Sequence, residues 1–82
     1  MREAEIYDQL TEIFREVFSN PNMVLKPELA AKDVQGWDSF RQVEIVIAVE
    51  EKCGVKFRGR ELDGLRDVGD LASAILAKTA GQ

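Results

Sequence analysis

The sequence contains no histidine, and it has only one cysteine among its 82 residues. Histidine is the commonest general base and a frequent metal ligand, so its absence argues against the usual serine and cysteine hydrolase arrangements. We therefore expect a non-catalytic protein with no intrinsic metal site. Because Cys53 has no second cysteine to pair with, an intramolecular disulfide is excluded, which favours a reducing compartment.

Long apolar runs are also absent. The first ten residues lack the apolar segment of a signal peptide, and no window is apolar enough to span a membrane. The formal net charge of -4 comes from 15 acidic and 11 basic residues. An acidic surface repels a phosphate backbone and favours basic patches on other proteins. We expect a cytoplasmic monomer that binds proteins, without nucleic-acid binding or membrane insertion.

Hydrophobic residues make up 45% of the sequence, and most of them recur at helical spacing. It predicts helices over about 3–18, 39–53, 59–63 and 67–79, in one domain covering 1–82. The connection from residue 19 to 38 is unusually long for so small a domain. Pro27 is expected to start a single helical turn within it. The predicted fold is all-α: a four-helix bundle with a long first loop and a short third helix.

The second predicted helix carries two apolar stripes. Ile45, Val46, Val49 and Cys53 have the spacing of a core face. Phe40, Val43 and Ile47, called here the second stripe, lie displaced around the helix. A small bundle cannot fully bury both stripes, so we expect one of them to contact another protein.

The segment GWDSF places Ser39 at the start of this helix. Gln42 follows three residues later, a pattern typical of a capping box, and loss of such a cap costs about 1 kcal/mol. Alternatively, Ser39 is modified by another enzyme, because a helix N-terminus stabilises a phosphate group by about 0.3–1 kcal/mol. Asp38 then either caps the helix or helps to bind a metal ion of the modifying enzyme. A catalytic role for Ser39 lacks a suitable base.

GWDSF and the following VEIVIAVEEKCGV resemble the acyl carrier protein family, whose hallmark is a D-S-L segment at the start of the second helix. The segment DVGDL at residues 67–71 resembles the T-V-G-D-L that opens the last helix in this family. The resemblance covers nearly the whole chain. It implies an acyl-carrier-type bundle in which Ser39 carries 4'-phosphopantetheine, transferred from coenzyme A by a phosphopantetheinyl transferase that uses magnesium.

The resemblance also implies a role for the rest of the second helix. The arm would carry an acyl group as a thioester, and the carrier would meet acyl-loading and acyl-processing enzymes. Asp38 would contact the transferase or its metal ion. The residues expected to bind partners are Phe40, Arg41, Val43, Glu44, Ile47, Glu50, Glu51, Arg58 and Arg60. The residues expected to line an acyl cavity, with ordinary core as the alternative, are Ile45, Val46, Val49, Leu62, Leu71 and Ile75.

Several positions depart from the family pattern. Phe40 stands where leucine is usual, and Arg41 stands where an acidic residue is common. Lys56, Arg58 and Arg60 occupy a region that is often acidic in fatty-acid carriers. Because charge complementarity guides partner choice, we expect a specialised lipid or polyketide pathway with dedicated partners. A peptidyl, aminoacyl or aryl carrier remains an alternative, as does an unmodified helical adaptor that binds through the second stripe.

Overall fold

A computed structural model describes residues 2–79 of the chain. It contains four α-helices: α1 (Glu3–Val17), α2 (Ser39–Cys53), α3 (Gly59–Leu62) and α4 (Val68–Thr79). A 3-10 turn, Ala31–Asp33, lies in the first loop. The predicted all-α bundle with a short third helix is confirmed, and each helix boundary agrees with its prediction to within one residue. Within the described residues, no helix has the length and apolar character needed to cross a lipid bilayer.

The core forms where α1 packs against α2 and α4. Phe14 of α1 is fully buried, and its ring meets the Trp37 ring edge to face at a centroid distance of 5.2 Å. Trp37 thereby anchors the end of the first loop directly before α2. The other fully buried large side chains come from all three long helices: Ile6, Leu10, Ile13, Ile45, Val49, Val68, Leu71 and Ile75.

Hydrogen bonds fix the long first loop near its start and in its middle. Near its start, Arg15 Nε donates to the Met23 carbonyl at 2.9 Å. Further along, the carbonyls of Pro27 and Leu29 accept the Gly69 and Val68 N–H groups at 2.8 and 2.9 Å. Since these carbonyls point towards α4, they cannot join a local helix.

The helical turn predicted at Pro27 is therefore wrong. Pro27 and Glu28 form a turn in which the Leu29 N–H donates to the Lys26 carbonyl at 3.0 Å. The only helical turn among the described loop residues follows later, at Ala31–Asp33.

Gly54 ends α2. Its backbone is left-handed, with φ at 67°, and its N–H donates to the Glu50 carbonyl at 3.1 Å. Glycine adopts this conformation without the steric cost that a Cβ brings. The chain then turns back along α2 towards α3.

Candidate functional site

The start of α2 is capped by Asp38 and not by Ser39. Asp38 has the extended backbone of an N-cap, and its Oδ1 accepts the Arg41 N–H at 2.9 Å. Ser39 is the first helical residue. The predicted Ser39–Gln42 capping box is wrong, because the cap lies one residue earlier and Gln42 Oε1 instead accepts a hydrogen bond from Trp37 Nε1 at 2.8 Å.

The Ser39 side chain therefore does not cap α2. It is exposed, and its hydroxyl takes part in no side-chain hydrogen bond among residues 2–79. The N–H groups of Ser39 and Phe40 also find no acceptor within that part of the chain. A free hydroxyl thus sits beside two unsatisfied amides at the positive end of the helix dipole, an arrangement that favours an anionic substituent.

A groove of about 430 Å³ opens beside Ser39. One wall is α2 with the Trp37 side chain, whose position is set by Phe14 and Gln42. The opposite wall comes from the end of α3 and the connection to α4. The lining combines apolar and polar groups: Ala31, Trp37, Asp38, Ser39, Gln42, Leu62, Leu65 and Arg66.

Several residues of this groove are missed by sequence reasoning. Ala31, Leu65 and Arg66 lie outside the main helices, and no spacing rule links them to Ser39. The Trp37–Gln42 pair had a visible signal, since both residues flank Ser39, but the capping pattern gave Gln42 another role. Tertiary packing alone brings these side chains together.

Five of the six predicted cavity residues are buried in the core. Ile45, Val49, Leu71 and Ile75 are at most 2% exposed, and Val46 is 7% exposed. Leu62 lies apart from them and lines the groove beside Ser39. Entry of an acyl chain among these six residues stays a prediction.

The second stripe is exposed: Phe40, Val43 and Ile47 are 70, 54 and 50% accessible. Glu51, Arg58 and Arg60, also predicted to bind partners, are exposed as well. Partner contact by all of these residues stays a prediction.

Three charged residues in the predicted partner set are engaged within the chain. Arg41 Nη1 pairs with Glu44 Oε1 at 2.7 Å. Glu50 Oε2 accepts the Phe57 N–H at 2.9 Å and so holds the connection between α2 and α3. The carboxylates of Glu44 and Glu50 are therefore partly engaged within the chain.

Cys53 is partly buried against the core at the far end of α2 from Ser39. Burial raises the pKa of its thiol, and the neighbouring Lys52 ammonium acts in the opposite direction. A thiol with a raised pKa is less often the reactive thiolate at neutral pH. Its surroundings are those of a packing residue.

Known proteins resemble the chain over most of its length. An acyl carrier protein of Acidothermus cellulolyticus is 37% identical over 79 residues, which cover 96% of this chain and 94% of that protein. A meromycolate extension acyl carrier protein of Mycolicibacterium smegmatis is 38% identical over 73 residues, covering 89% and 74% of the two chains. No protein-family model matches the chain.

The fold has a solved counterpart as well. The solution NMR structure of holo acyl carrier protein from Geobacter metallireducens superposes with a TM-score of 0.86 at 38% identity, covering 93% of this chain and 87% of that one. With this structural match, and with 37% identity to the Acidothermus cellulolyticus protein over nearly the full length of both chains, this chain belongs to the acyl carrier protein family.

Proposed function

We propose that the chain is a non-catalytic carrier on which Ser39 holds 4'-phosphopantetheine. The observation that carries this proposal is the free, exposed Ser39 hydroxyl at the first residue of α2, with Asp38 performing the capping. The holo form of the Geobacter metallireducens protein supports it, since that chain shares the fold.

The residues around Ser39 fit such a group. The unsatisfied amides of Ser39 and Phe40 suit the phosphate, as helix N-termini suit anions in general. The groove provides apolar contacts from Trp37, Leu62 and Leu65 for the less polar part of the arm. When attached, the arm supplies a terminal thiol that carries an acyl group as a thioester.

Attachment requires a base and a metal ion that the transferase provides. The Ser39 oxygen forms a new bond to the coenzyme A phosphorus that bears pantetheine. The bond from this phosphorus to the nucleotide breaks, and adenosine 3',5'-bisphosphate leaves. The Ser39 proton passes to a base on the transferase. Asp38 uses Oδ1 for its cap, so its second carboxylate oxygen is available to the magnesium ion of the transferase.

The intact mass of the full chain tests this proposal. Incubation with coenzyme A, magnesium and a broad-specificity phosphopantetheinyl transferase should add one phosphopantetheinyl group. Ser39→Ala should add none, whereas Ser73→Ala, which alters another exposed serine, should react as the wild type does. A folded chain that gains no mass, or a Ser39→Ala variant that gains it, would contradict the assignment and favour the unmodified adaptor.

We further propose that the acyl group belongs to a specialised lipid or polyketide pathway and is passed among dedicated loading and processing enzymes. The charges at Arg41, Arg58 and Arg60 support dedicated partners, and the name of the Mycolicibacterium smegmatis relative supports the lipid side. A malonyl transferase of general fatty-acid synthesis should load the holo chain poorly. Efficient loading would argue against specialisation, and loading by an amino-acid-activating enzyme would favour a peptidyl or aminoacyl carrier.

A further inference from the structure

The second stripe begins one residue after Ser39 and follows one face of α2. Phe40, Val43 and Ile47 are separated by three and four residues, the spacing of neighbours on a helix surface. Each is at least half exposed, although the domain has only a small core. Contiguous exposed apolar side chains of this size are typical of a surface that binds another protein.

The two flanks of this stripe differ in charge. On the side facing α1, cations and carboxylates are mixed: Arg41 is paired with Glu44, and Lys52 Nζ lies 3.3 Å from Glu12 of α1. Glu51 lies on this side as well, where it lines a second groove, between α1 and α2. Glu16 of α1 lines this groove too, so the flank carries four carboxylates and two cations and is net negative.

On the other flank the charge is positive. Lys56, Arg58 and Arg60, called here the basic edge, are exposed, and none forms an ion pair with another residue of the described range 2–79. Glu61, the only acidic residue within α3, is already paired with Lys78 at 2.8 Å. Asp63 follows α3 on the turn towards α4.

The basic edge runs alongside the second stripe. At one end, the Phe57 N–H donates to Glu50. Glu50 lies seven residues after Val43, about two helical turns along the same side of α2. At the other end, Leu62 of α3 lines the groove with Ser39. The segment that carries the three cations therefore spans from the C-terminal half of α2 back to Ser39.

We propose that this surface docks a partner enzyme whose binding site is an apolar pocket bordered by carboxylates on the side that meets α3. The apolar pocket covers the second stripe, and the carboxylates meet the basic edge. Complementary charge mainly raises the association rate and selects among partners. The inference rests on the proposed function, since the partner is an enzyme that installs the group at Ser39 or acts on it there.

A charge exchange tests it. The probe is a phosphopantetheinyl transferase that binds the carrier with basic side chains. It is compared with a variant in which two of these side chains, on the side that meets α3, are replaced by glutamate. The substrates are the unmodified wild-type chain and the R58E/R60E double variant. The control R2E/K26E makes the same change in net charge at exposed residues next to Glu3 and Pro27, which line a separate groove between α1 and α4.

The glutamate variant of the transferase should modify the wild-type chain with a kcat/KM about tenfold above that of the parent enzyme. R58E/R60E should reverse this preference, R2E/K26E should keep it, and added salt should reduce it. Circular dichroism verifies that each variant is folded. If all three folded chains were modified with the same preference between the two transferases, the docking inference would be overturned and Ser39 modification would stand. Absence of modification in every combination would instead overturn the proposed function and this inference with it.

Discussion

Helices α2 and α4 begin with the same cap but leave different surfaces at their starts. In α2, Asp38 Oδ1 accepts the Arg41 N–H at 2.9 Å, and in α4, Asp67 Oδ1 accepts the Asp70 N–H at 2.8 Å. In both cases an aspartate precedes the helix and satisfies the amide three residues later. The local chemistry of the two helix starts is therefore nearly identical.

The two helix starts differ in the hydrogen bonds of the backbone N–H groups of their first two residues. In α4, the Val68 and Gly69 N–H groups donate to the carbonyls of Leu29 and Pro27 in the first loop. In α2, the corresponding amides have no acceptor within residues 2–79. The residue after the cap follows the same division, because Val68 is fully buried and Ser39 is exposed.

One helix start is thus closed by the chain itself, and the other is open to a ligand. Four amide donors at any helix N-terminus require partners, and a folded protein can supply them internally or leave them to bind an anion. Here the first loop satisfies α4, and α2 keeps its donors beside a serine hydroxyl. This difference supports the proposal that Ser39 is modified.

The largest expected effect is at the open start. Ser39→Ala should abolish phosphopantetheinylation completely and change the free energy of unfolding by no more than about 0.5 kcal/mol, as at other exposed positions. The cap cost of about 1 kcal/mol that the sequence pattern assigned to Ser39 belongs to Asp38 instead. Intact mass and urea unfolding measure the two quantities. A stability loss of the full cap value would show that Ser39 contributes to capping after all.

A larger side chain at the closed start should destabilise the fold. A Cβ added at Gly69 would lie 3.0 Å from the Pro27 carbonyl oxygen and 3.3 Å from Asp67 Oδ1. Gly69→Val should therefore cost about 1–3 kcal/mol, the usual range for overpacking. Phe40→Val, at the equivalent second position of α2, should change stability by about 0.5 kcal/mol or less. Equal losses in urea unfolding would mean that the two starts are equally enclosed.

The two caps should contribute similarly. Asp38→Ala and Asp67→Ala should each reduce the free energy of unfolding by about 1 kcal/mol, because each removes one acceptor for a first-turn amide. The matched variants Asp38→Asn and Asp67→Asn retain an oxygen acceptor and should recover most of the loss. Thermal unfolding of the four variants provides the measurement. If asparagine were as destabilising as alanine, the carboxylate charge and not the hydrogen bond would be responsible.

The smallest expected effect is a dependence on acid at the start of α4. Hydrogen bonds from the Arg66 backbone N–H and side chain hold the pKa of Asp70 below its ordinary value of 3.8. A carboxyl with a lowered pKa in the folded state stabilises the fold above its unfolded value, and that contribution disappears as pH falls through the folded value. The free energy of unfolding, measured from neutral pH to well below 3.8, should therefore fall less for Asp70→Asn than for wild type, with the difference arising below about 3.8. Parallel curves would contradict this role.

Much of the fold follows from short-range pattern. The periodicity of α1 and α2 and the segment DVGDL at the start of α4 each involve neighbouring residues, and each predicts the observed element. Ser39 was recognisable from the segment GWDSF and its resemblance to a family. The incorrect features, the Ser39–Gln42 capping box and the turn at Pro27, are those in which a distant segment competes for the same hydrogen-bonding group.

The sequence by itself determined the four helices, their limits and the serine at the start of the second, because helical spacing and capping depend on contacts within a few residues. Only the tertiary structure decided which helix start is closed and which side chains face Ser39 across the groove. These outcomes depend on the first loop and on the α3–α4 connection, which pack from positions remote in the chain. The same kind of helix start became structural in α4 and open in α2 because the first loop has carbonyls within reach of only one of them.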